Sequence, residues 1–273
     1  MNAEGGTRFE LEVATLTDVG TEREHNEDHC GELLESPGCA LLVVADGVSS
    51  AEAGETASQT AVAATLKTFR EQPAGTATAK RLYRAVQQAN IEVYDLATVV
   101  PELRGMTTTL TAVAVDRGEL VAAHIGDSRL YLWRDGRLTQ LTKDHTVAGE
   151  KSRMGLMSKS RAKESPDRSV LTRSLGRELI VPIDRLSNRV YRGDALLVCS
   201  DGLYNVLEDE EMASLLGQGD ATAACRTLVD TSNKRGTLDN LSAAVLRVLD
   251  GPDRPDGSPG LAGRLRALFG RRG

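Results

Sequence analysis

The sequence predicts an α+β protein in which antiparallel sheets are covered by helices. The first observation is a series of short apolar segments with the composition of strands, most of which end at Asp or Gly. The second is a pair of dipeptides, Arg117-Gly118 and Asp135-Gly136, each flanked by two such segments. Glycine supplies the positive φ that a two-residue hairpin turn needs. The third is a set of longer segments with helical periodicity, and strands in hairpins beside helices favour antiparallel sheets with helices on their faces.

The strands and helices follow from these patterns in chain order. Segments rich in leucine or β-branched residues predict strands at residues 9–16, 40–45, 110–115, 120–125, 129–133, 195–199 and 241–249. The segment 137–141 is the predicted hairpin partner of the strand before Asp135-Gly136. Apolar residues that recur every three or four positions predict helices at residues 54–69, 77–97 and 221–234.

Length and charge predict one folded body followed by a short tail. A chain of 273 residues is long enough for a single domain of about 250 residues with its own core. Residues 251–260 have the Gly, Pro and Asp content of a linker, and residues 261–269 have the pattern of a short basic amphipathic helix. Five Arg and two Asp give residues 251–273 a charge of +3. Because the whole chain has a net charge of −6, the first 250 residues carry −9. We therefore expect a domain at 1–250 and a linker with a basic tail at 251–273.

Composition excludes several classes of protein. A net charge of −6 disfavours general binding to nucleic acid. Apolar stretches such as residues 40–45 are far shorter than the ~18 residues of a membrane span, and no signal-peptide pattern is visible. The four Cys lack CxxC spacing, which disfavours a metal or disulfide framework. We expect a cytoplasmic monomer that binds neither nucleic acid nor a membrane.

Acidic residues stand at the ends of several predicted strands. They are Glu27 and Asp28 after the first strand, Asp46 and Asp201 before glycines, Asp127 after the strand 120–125, and Asp239 before the last strand. A single Asp-Gly pair is explained by a turn, in which Asp binds backbone amides and Gly adopts the left-handed conformation. Five such sites fit that explanation less well, because Val-Val-Ala-Asp-Gly and Val-Cys-Ser-Asp-Gly nearly repeat.

Convergence of these strand ends would decide the chemistry. Two unit charges ~4 Å apart repel by about 4 kcal/mol at an effective dielectric constant of about 20. Crowded carboxylates must therefore raise their pKa values or bind cations. Oxygen ligands without a Cys or His set indicate Mg²⁺ or Mn²⁺ and not Zn²⁺ or copper. Two such ions ~3.5–4 Å apart form the clamp that serves attack on phosphorus.

Eight short blocks follow one another along residues 10–248. The first four are TDVGTEREHNED at 17–28, VADG at 44–47 with AGE at 53–55, GMTTTL at 105–110, and IGDSR at 125–129. The last four are LTKDH at 141–145, LTRSLG at 171–176, CSDGL at 199–203, and DN at 239–240. In this order they resemble the metal-dependent protein phosphatase 2C family of Ser/Thr phosphatases in its compact bacterial form. Ordered blocks are far more specific than any single motif.

The resemblance implies a fold and a two-metal centre. The fold is a two-layer antiparallel β-sandwich flanked by antiparallel helix pairs, with the metal cleft at one edge. Asp46 would bridge two Mn²⁺ or Mg²⁺ ions, Asp201 and Asp239 would complete the first, and Glu27 and the Gly47 carbonyl would complete the second. Glycine suits that place, because it has no Cβ to hinder the approach of its carbonyl to a cation.

The resemblance also implies a weaker third ion and a phosphate-binding residue. Asp127, with Asp201, would hold the third ion. Arg23 would bind the substrate phosphate, and its planar fork of donors suits phosphate oxygens. Asp28 and Asn240 would support the metals from around the site. A hydroxide that bridges two divalent ions would then attack phosphorus in one step, without a phosphoenzyme.

These residues predict a phosphatase that acts on phosphoserine and phosphothreonine in proteins and opposes a Ser/Thr kinase. Two alternatives stay open. One is a pseudophosphatase module that binds a phosphoprotein without turnover, and the other is a phosphatase restricted to a regulatory protein of the anti-anti-sigma type. The presence of all five charged residues argues against the first alternative: Arg23, Glu27, Asp46, Asp201 and Asp239.

Three features lie outside the resemblance or qualify it. Bacterial members often have Met-Gly-Gly-His after the first Asp-Gly, whereas this chain has VSSA at residues 48–51, and we hypothesise that Ser49 and Ser50 shape substrate access. Residues 149–168 correspond to a flap segment, with a solvated connector as the alternative. His145 is expected to fix a loop, and Cys199 is not expected to act as a nucleophile, because burial raises a thiol pKa.

Overall fold

Two antiparallel β-sheets pack against each other, and helices cover the outer face of each sheet. This computed structural model describes residues 9–48 and 51–255. One sheet has the strand order β1-β11-β10-β7-β8, and the other has the order β2-β3-β5-β6-β9, with the short strand β4 paired to the end of β3. The predicted fold class, an α+β protein built as an antiparallel sandwich with flanking helix pairs, is confirmed.

The strands have the following bounds. They are β1 (Glu10–Asp18), β2 (Asp28–Ser36), β3 (Cys39–Val48), β4 (Thr107–Thr108), β5 (Leu110–Asp116), β6 (Glu119–Ile125), β7 (Arg129–Arg134), β8 (Arg137–Gln140), β9 (Asp184–Arg189), β10 (Ala195–Cys199) and β11 (Leu241–Asp250). All seven strands predicted from composition are present within a few residues of their predicted ends.

The helices have the following bounds. They are α1 (Ala51–Arg70), α2 (Thr78–Val99), α3 (Val147–Arg153), α4 (Lys159–Lys163), α5 (Asp201–Tyr204), α6 (Asp209–Leu216) and α7 (Ala221–Lys234), with a single 3₁₀ turn at Pro101–Leu103. The three predicted helices correspond to α1, α2 and α7. In the part of the chain described here, no helix combines the length and the apolar character needed to cross a membrane.

The core has three layers because each sheet is buried on both faces, as strand β3 shows for one of them. Leu41 and Val43 belong to the cluster beneath α1 and α2, whereas Leu42 and Val44 belong to the cluster between the two sheets. Successive side chains of a strand point to opposite faces, so an unbroken apolar run fills two layers at once. A third cluster lies between the other sheet and helices α5, α6 and α7.

Both predicted hairpin turns are confirmed. Arg117 and Gly118 have φ values of 46° and 82°, and Asp135 and Gly136 have φ values of 50° and 79°. Positive φ at both central residues is the geometry that matches the right-handed twist of the flanking strands. The turns join β5 to β6 and β7 to β8 in register.

Several short or polar elements are absent from the sequence-based prediction. Strand β9 lies at a sheet edge, and four of its six residues are exposed, so it has no apolar run to reveal it. The segment 149–168, expected as a flap or a connector, contains the end of α3 and all of α4. Ser49, Ser50 and the predicted basic helix at 261–269 lie outside the described residues.

A buried histidine lies at the end of β6. His124 has no exposed surface, its Nε2 faces the Lys143 carbonyl oxygen at 3.1 Å, and its Nδ1 lies 2.8 Å from Thr111 Oγ1. A carbonyl can only accept, so Nε2 carries a proton, and Thr111 Oγ1 also lies within hydrogen-bond distance of the Ser128 carbonyl oxygen at 2.8 Å. Burial, and next the His145 ring 4.7 Å away, lower the pKa of His124 to about 4.

The first prediction concerns a core side chain. Leu42→Ala, at a fully buried position between the sheets, should lower the free energy of unfolding by about 2–5 kcal/mol. Leu249→Ala, at a side chain that is 50% exposed, is the matched control and should cost far less. Urea unfolding of both variants measures the difference, and equal losses would contradict the three-layer core.

The second prediction concerns acid stability. The unfolded chain protonates His124 near pH 6.5, whereas the folded state does so only near its lowered pKa of about 4. Neutral His124 therefore makes its full contribution to the free energy of unfolding above pH 6.5. That contribution, about 3 kcal/mol in total, is lost as the pH falls to about 4. His124→Gln should flatten the fall of unfolding free energy between pH 6.5 and 4, and His25→Gln, at an exposed position, should leave it unchanged. If the unfolding free energy of the wild type and of His124→Gln fell in parallel with pH, His124 would not have a lowered pKa in the folded state.

Candidate metal centre

A cleft of about 230 Å³ opens at the edge of the sandwich where several strands begin or end. Its lining includes eight of the nine predicted site residues: Arg23, Glu27, Asp46, Gly47, Asp127, Asp201, Asp239 and Asn240. The ninth, Asp28, does not line the cleft. Three further residues, Val48, Ser169 and Leu171, complete the lining.

The sheet topology accounts for this convergence. Asp46 and Gly47 lie near the end of β3, and Asp127 lies in the turn between β6 and β7. Asp201 follows β10 and Asp239 precedes β11, and these two strands pair antiparallel. In an antiparallel pair the end of one strand and the start of the other lie at the same edge, so residues far apart in sequence come together.

Hydrogen bonds fix the backbone of Asp46. Its amide donates to Thr109 Oγ1 at 3.0 Å, and its carbonyl oxygen accepts from Thr108 Oγ1 at 2.9 Å and from the Thr109 amide at 2.8 Å. Both threonines belong to the GMTTTL block, for which the sequence analysis gave no role. They hold the end of β3 without adding charge.

His145 fixes the turn that carries Asp127. The Gly126 amide donates to His145 Nδ1 at 3.0 Å, and the His145 amide donates to the Gly126 carbonyl oxygen at 2.8 Å. Gly126 has a φ of 103°, which a residue with a side chain rarely adopts. The structure therefore gives His145 the loop-fixing contacts that the sequence analysis expected.

Glycines allow the acidic loops to approach one another. A Cβ on Gly47 would collide with the Gly54 carbonyl, and a Cβ on Gly54 would collide with the Glu27 carboxylate. The Gly47 amide also donates to the Glu27 carbonyl oxygen at 3.0 Å. The start of α1 thus packs directly against the loop that carries Glu27, and both glycines belong to the blocks quoted above.

Arg23 and Asn240 join the N-terminal loop to the last strand. Arg23 Nη2 lies 2.9 Å from Asp239 Oδ1, and the two side chains are 46% and 40% exposed. Asn240 Oδ1 accepts from the Glu27 amide at 2.8 Å, and its Nδ2 donates to the carbonyl oxygens of Val19 and His25 at 2.8 Å each. Asn240 therefore uses both ends of its amide to hold the loop that carries Arg23 and Glu27.

Asp28 is buried beside the cleft and bonded away from it. It is 3% exposed and stands opposite Asp46 in the register of β2 and β3. Ser200 Oγ donates to Asp28 Oδ2 at 2.5 Å and accepts from the Ser242 amide at 2.9 Å. Burial raises the pKa of Asp28 to about 7, and the hydrogen bonds from Ser200 and Ser242 oppose that rise. Its contacts join β2 to β10 and β11.

The carboxylates of the cleft resist ionisation. Burial raises the pKa of Asp46 and Asp127 well above the usual range, and repulsion from Asp201 adds to both shifts. Burial and then Asp239 raise the pKa of Asp201 to about 6, and burial raises that of Glu27. Such a set of side chains gains free energy when a cation neutralises it.

The donor set fits hard divalent cations that keep part of their water shell. The atoms of the cleft that could ligate an ion are all oxygens: the carboxylates, the Asn240 amide, the Ser169 hydroxyl and the Gly47 backbone carbonyl. Across residues 9–48 and 51–255, no three acidic, His or Cys side chains are grouped closely enough to hold one ion by themselves. Mg²⁺ is commonly held by one or two carboxylates together with several waters, so this spacing suits it.

Other residues complete the cleft or border it. Val48, Ser169 and Leu171 line it, and of these only Leu171 belongs to one of the eight sequence blocks.

Burial raises the pKa of the Cys199 thiol, so this residue stays protonated and is no nucleophile, as expected from the sequence.

Comparison with known proteins places these observations in a family. The sequence profile described as protein phosphatase 2C matches residues 20–246. The serine/threonine phosphatase Stp of Listeria monocytogenes is 34% identical over 235 residues, which cover 84% of this chain and 93% of Stp. The serine/threonine protein phosphatase PstP of Mycobacterium tuberculosis is 36% identical over 241 residues, which cover 88% of this chain and 45% of PstP.

A solved structure shares the whole fold. The catalytic domain of a serine/threonine phosphatase PstP, crystallised with two manganese ions, superposes with a TM-score of 0.77 at 33% identity. The match covers 89% of this chain and all of that domain. The profile match spans most of the chain, the relatives exceed 30% identity, and the folds agree. On this evidence the chain belongs to the protein phosphatase 2C family.

Proposed function

We propose that this chain hydrolyses phosphoserine and phosphothreonine in proteins with the aid of two divalent cations, Mn²⁺ or Mg²⁺. The observation that carries the proposal is the cleft in which Asp46, Asp127 and Asp201 have raised pKa values beside an exposed arginine, Arg23. Anionic side chains that need a cation and an arginine that can bind phosphate are the two parts that phosphoryl transfer requires. The relative crystallised with two manganese ions supports the choice of cofactor.

The metal ligands are those that the resemblance to the family implies. Asp46 would serve both ions, Asp201 and Asp239 the first, and Glu27 and the Gly47 carbonyl the second, while Asp127, with Asp201, would hold a weaker third. Waters would complete the contacts, because no three of the described side chains are close enough to hold one ion directly. All six residues line the same cleft, which supports the assignment. When bound, the ions lower the pKa of water and so supply a nucleophile at neutral pH.

Arg23 binds the phosphate of the substrate. Its guanidinium is 46% exposed on the cleft, so its donors can reach a ligand from solvent. The ion pair with Asp239 and a 3.4 Å bond from Nε to the Leu238 carbonyl oxygen hold the side chain at the rim, and Nη1 would donate to phosphate oxygens. Asp28 and Asn240 act by holding the loops around the site, as their hydrogen bonds indicate.

The substrates are phosphorylated proteins, and the activity opposes that of a Ser/Thr kinase. The cleft is open and polar, which suits a phosphorylated side chain on a protein surface better than an apolar small molecule. The chain acts as a monomer. A pseudophosphatase is disfavoured because every proposed ligand side chain keeps its carboxylate.

The third prediction tests the ligand role of Asp46. Asp46→Asn should reduce Mn²⁺-dependent hydrolysis of a phosphothreonine peptide by at least about 100-fold, because loss of even an outer partner of a metal ligand costs about 10–100-fold. EDTA should abolish the wild-type activity, and excess Mn²⁺ should restore it. Asp253→Asn is the matched control, because Asp253 is 78% exposed and pairs with Arg192 away from the cleft.

Three results would contradict this prediction. They are activity that survives EDTA, an Asp46→Asn variant as active as the control, and tight binding of the phosphopeptide without turnover. The last result would establish the pseudophosphatase alternative.

The fourth prediction tests phosphate binding by Arg23. Arg23→Ala should raise KM for the phosphopeptide by about 10- to 100-fold, the equivalent of about 1.5–3 kcal/mol for hydrogen bonds to a charged group. Arg192→Ala, which removes an exposed guanidinium from another surface, is the matched control and should leave KM unchanged. Steady-state kinetics at saturating Mn²⁺ measure both, and an unchanged KM in Arg23→Ala would refute the role.

A further inference from the structure

A tyrosine links the backbone segments that carry Asp127 and Asp201. Tyr204 is the last residue of α5, the short helix that begins at Asp201. Its Oη donates to the Asp127 carbonyl oxygen at 3.1 Å. One side chain therefore ties the helix that presents one carboxylate to the turn that presents the other.

The ring of Tyr204 is held from its other side by a charged network. The Arg129 guanidinium carbon lies 3.5 Å from the centre of the ring, a close cation–π contact. Arg129 is itself fixed by two bonds to Asp144, from Nε to Oδ1 at 3.0 Å and from Nη2 to Oδ2 at 2.7 Å. A bidentate pair of this kind has a defined geometry, so the ring has little freedom to turn.

The hydroxyl of Tyr204 stays a donor. A backbone carbonyl oxygen can only accept a hydrogen bond, so the Tyr204 hydroxyl is the donor in its bond to Asp127.

The spacing of the two carboxylates matters because they repel each other. Asp127 and Asp201 line the same cleft, and two carboxylates that face one small cleft repel each other. A divalent cation between or beside them relieves that repulsion only if their spacing suits its coordination distance. A bond that fixes the turn relative to the helix fixes this spacing.

We propose that Tyr204, clamped by Arg129 and Asp144, is a positioning residue that sets the separation of Asp127 and Asp201 and thereby the affinity of the cleft for Mn²⁺ or Mg²⁺. The inference rests on the proposed function, since it takes the cleft to be a metal site. It adds residues that touch neither metal nor substrate, and it assigns them to metal affinity and not to phosphate binding. Outer partners of metal ligands are known to act in this way.

The matched variants differ by one hydroxyl each. Tyr204→Phe removes the bond to the Asp127 carbonyl and keeps the ring under Arg129. Tyr131→Phe removes a hydroxyl that lies 3.1 Å from Arg129 Nη1 in the same network but makes no contact with Asp127. Calorimetric titration of the metal-free full chain with Mn²⁺ measures affinity directly, without reference to turnover.

Tyr204→Phe should weaken Mn²⁺ binding about tenfold, and Tyr131→Phe should change it less than twofold. In an Asp127→Asn background the Tyr204→Phe change should have little further effect on Mn²⁺ affinity, because Tyr204 acts by positioning the carboxylate that this background lacks. Asp144→Asn, which loosens Arg129 and leaves the Tyr204 hydroxyl in place, should give an intermediate loss. KM for the phosphopeptide at saturating Mn²⁺ should be unchanged in Tyr204→Phe.

Specific outcomes overturn the inference. They are an unchanged Mn²⁺ affinity in Tyr204→Phe, an equal loss in Tyr131→Phe, or an undiminished effect of Tyr204→Phe in the Asp127→Asn background. A wild-type chain that binds Mn²⁺ without hydrolysing phosphopeptides would refute the proposed function alone, and the titrations would still decide the role of Tyr204.

Discussion

Repulsion among carboxylates at one edge of the sandwich is the constraint on which the site depends. Asp46, Asp127 and Asp201 are placed where burial and the charge of neighbouring carboxylates disfavour ionisation. A fold gains nothing in stability from such crowding, because uncompensated buried charge is costly. The arrangement makes physical sense as a site that is completed by cations from solution.

The protein holds these groups in place mainly with neutral contacts. Threonine hydroxyls fix the end of β3, His145 fixes the turn before β7, and Asn240 fixes the N-terminal loop. Neutral donors and acceptors set the positions of the carboxylates without neutralising them. Permanent cations are kept to the rim, at Arg23, and behind the cleft, at Arg129, where it is stacked on a ring and paired with its own carboxylate.

Much of the fold could be predicted from sequence because its central elements carry strong local signals. Strand β3 is an unbroken apolar run, and both hairpins contain glycine at a position with positive φ. Strand β9 gives no such signal, since it lies at an edge with polar side chains in solvent. Its place is fixed by backbone bonds to β6, which no local pattern encodes.

The sequence predicts which residues form the site better than it predicts what each of them does. Acidic residues at strand ends predict most of the lining of the cleft, yet Asp28 and Asp46 look alike in sequence and only Asp46 lines the cleft. Asp28 is bonded to Ser200, which follows β10 and lies 172 residues away, so this hydrogen bond depends on tertiary packing alone. No local pattern marks Tyr204 either, because its hydrogen bond joins it to a turn 77 residues away.

The pairing of β1 with β11 has a consequence for biosynthesis. The cleft takes residues from the loop after β1 and from the segment just before β11, the last strand of the described residues. While the nascent chain is still on the ribosome, the sheets can begin to form, but the cluster of acidic groups cannot close until the segment around Asp239 has emerged. Long-range closure of this kind is slow relative to local folding. A polypeptide that ends before Asp239 therefore lacks part of the cleft.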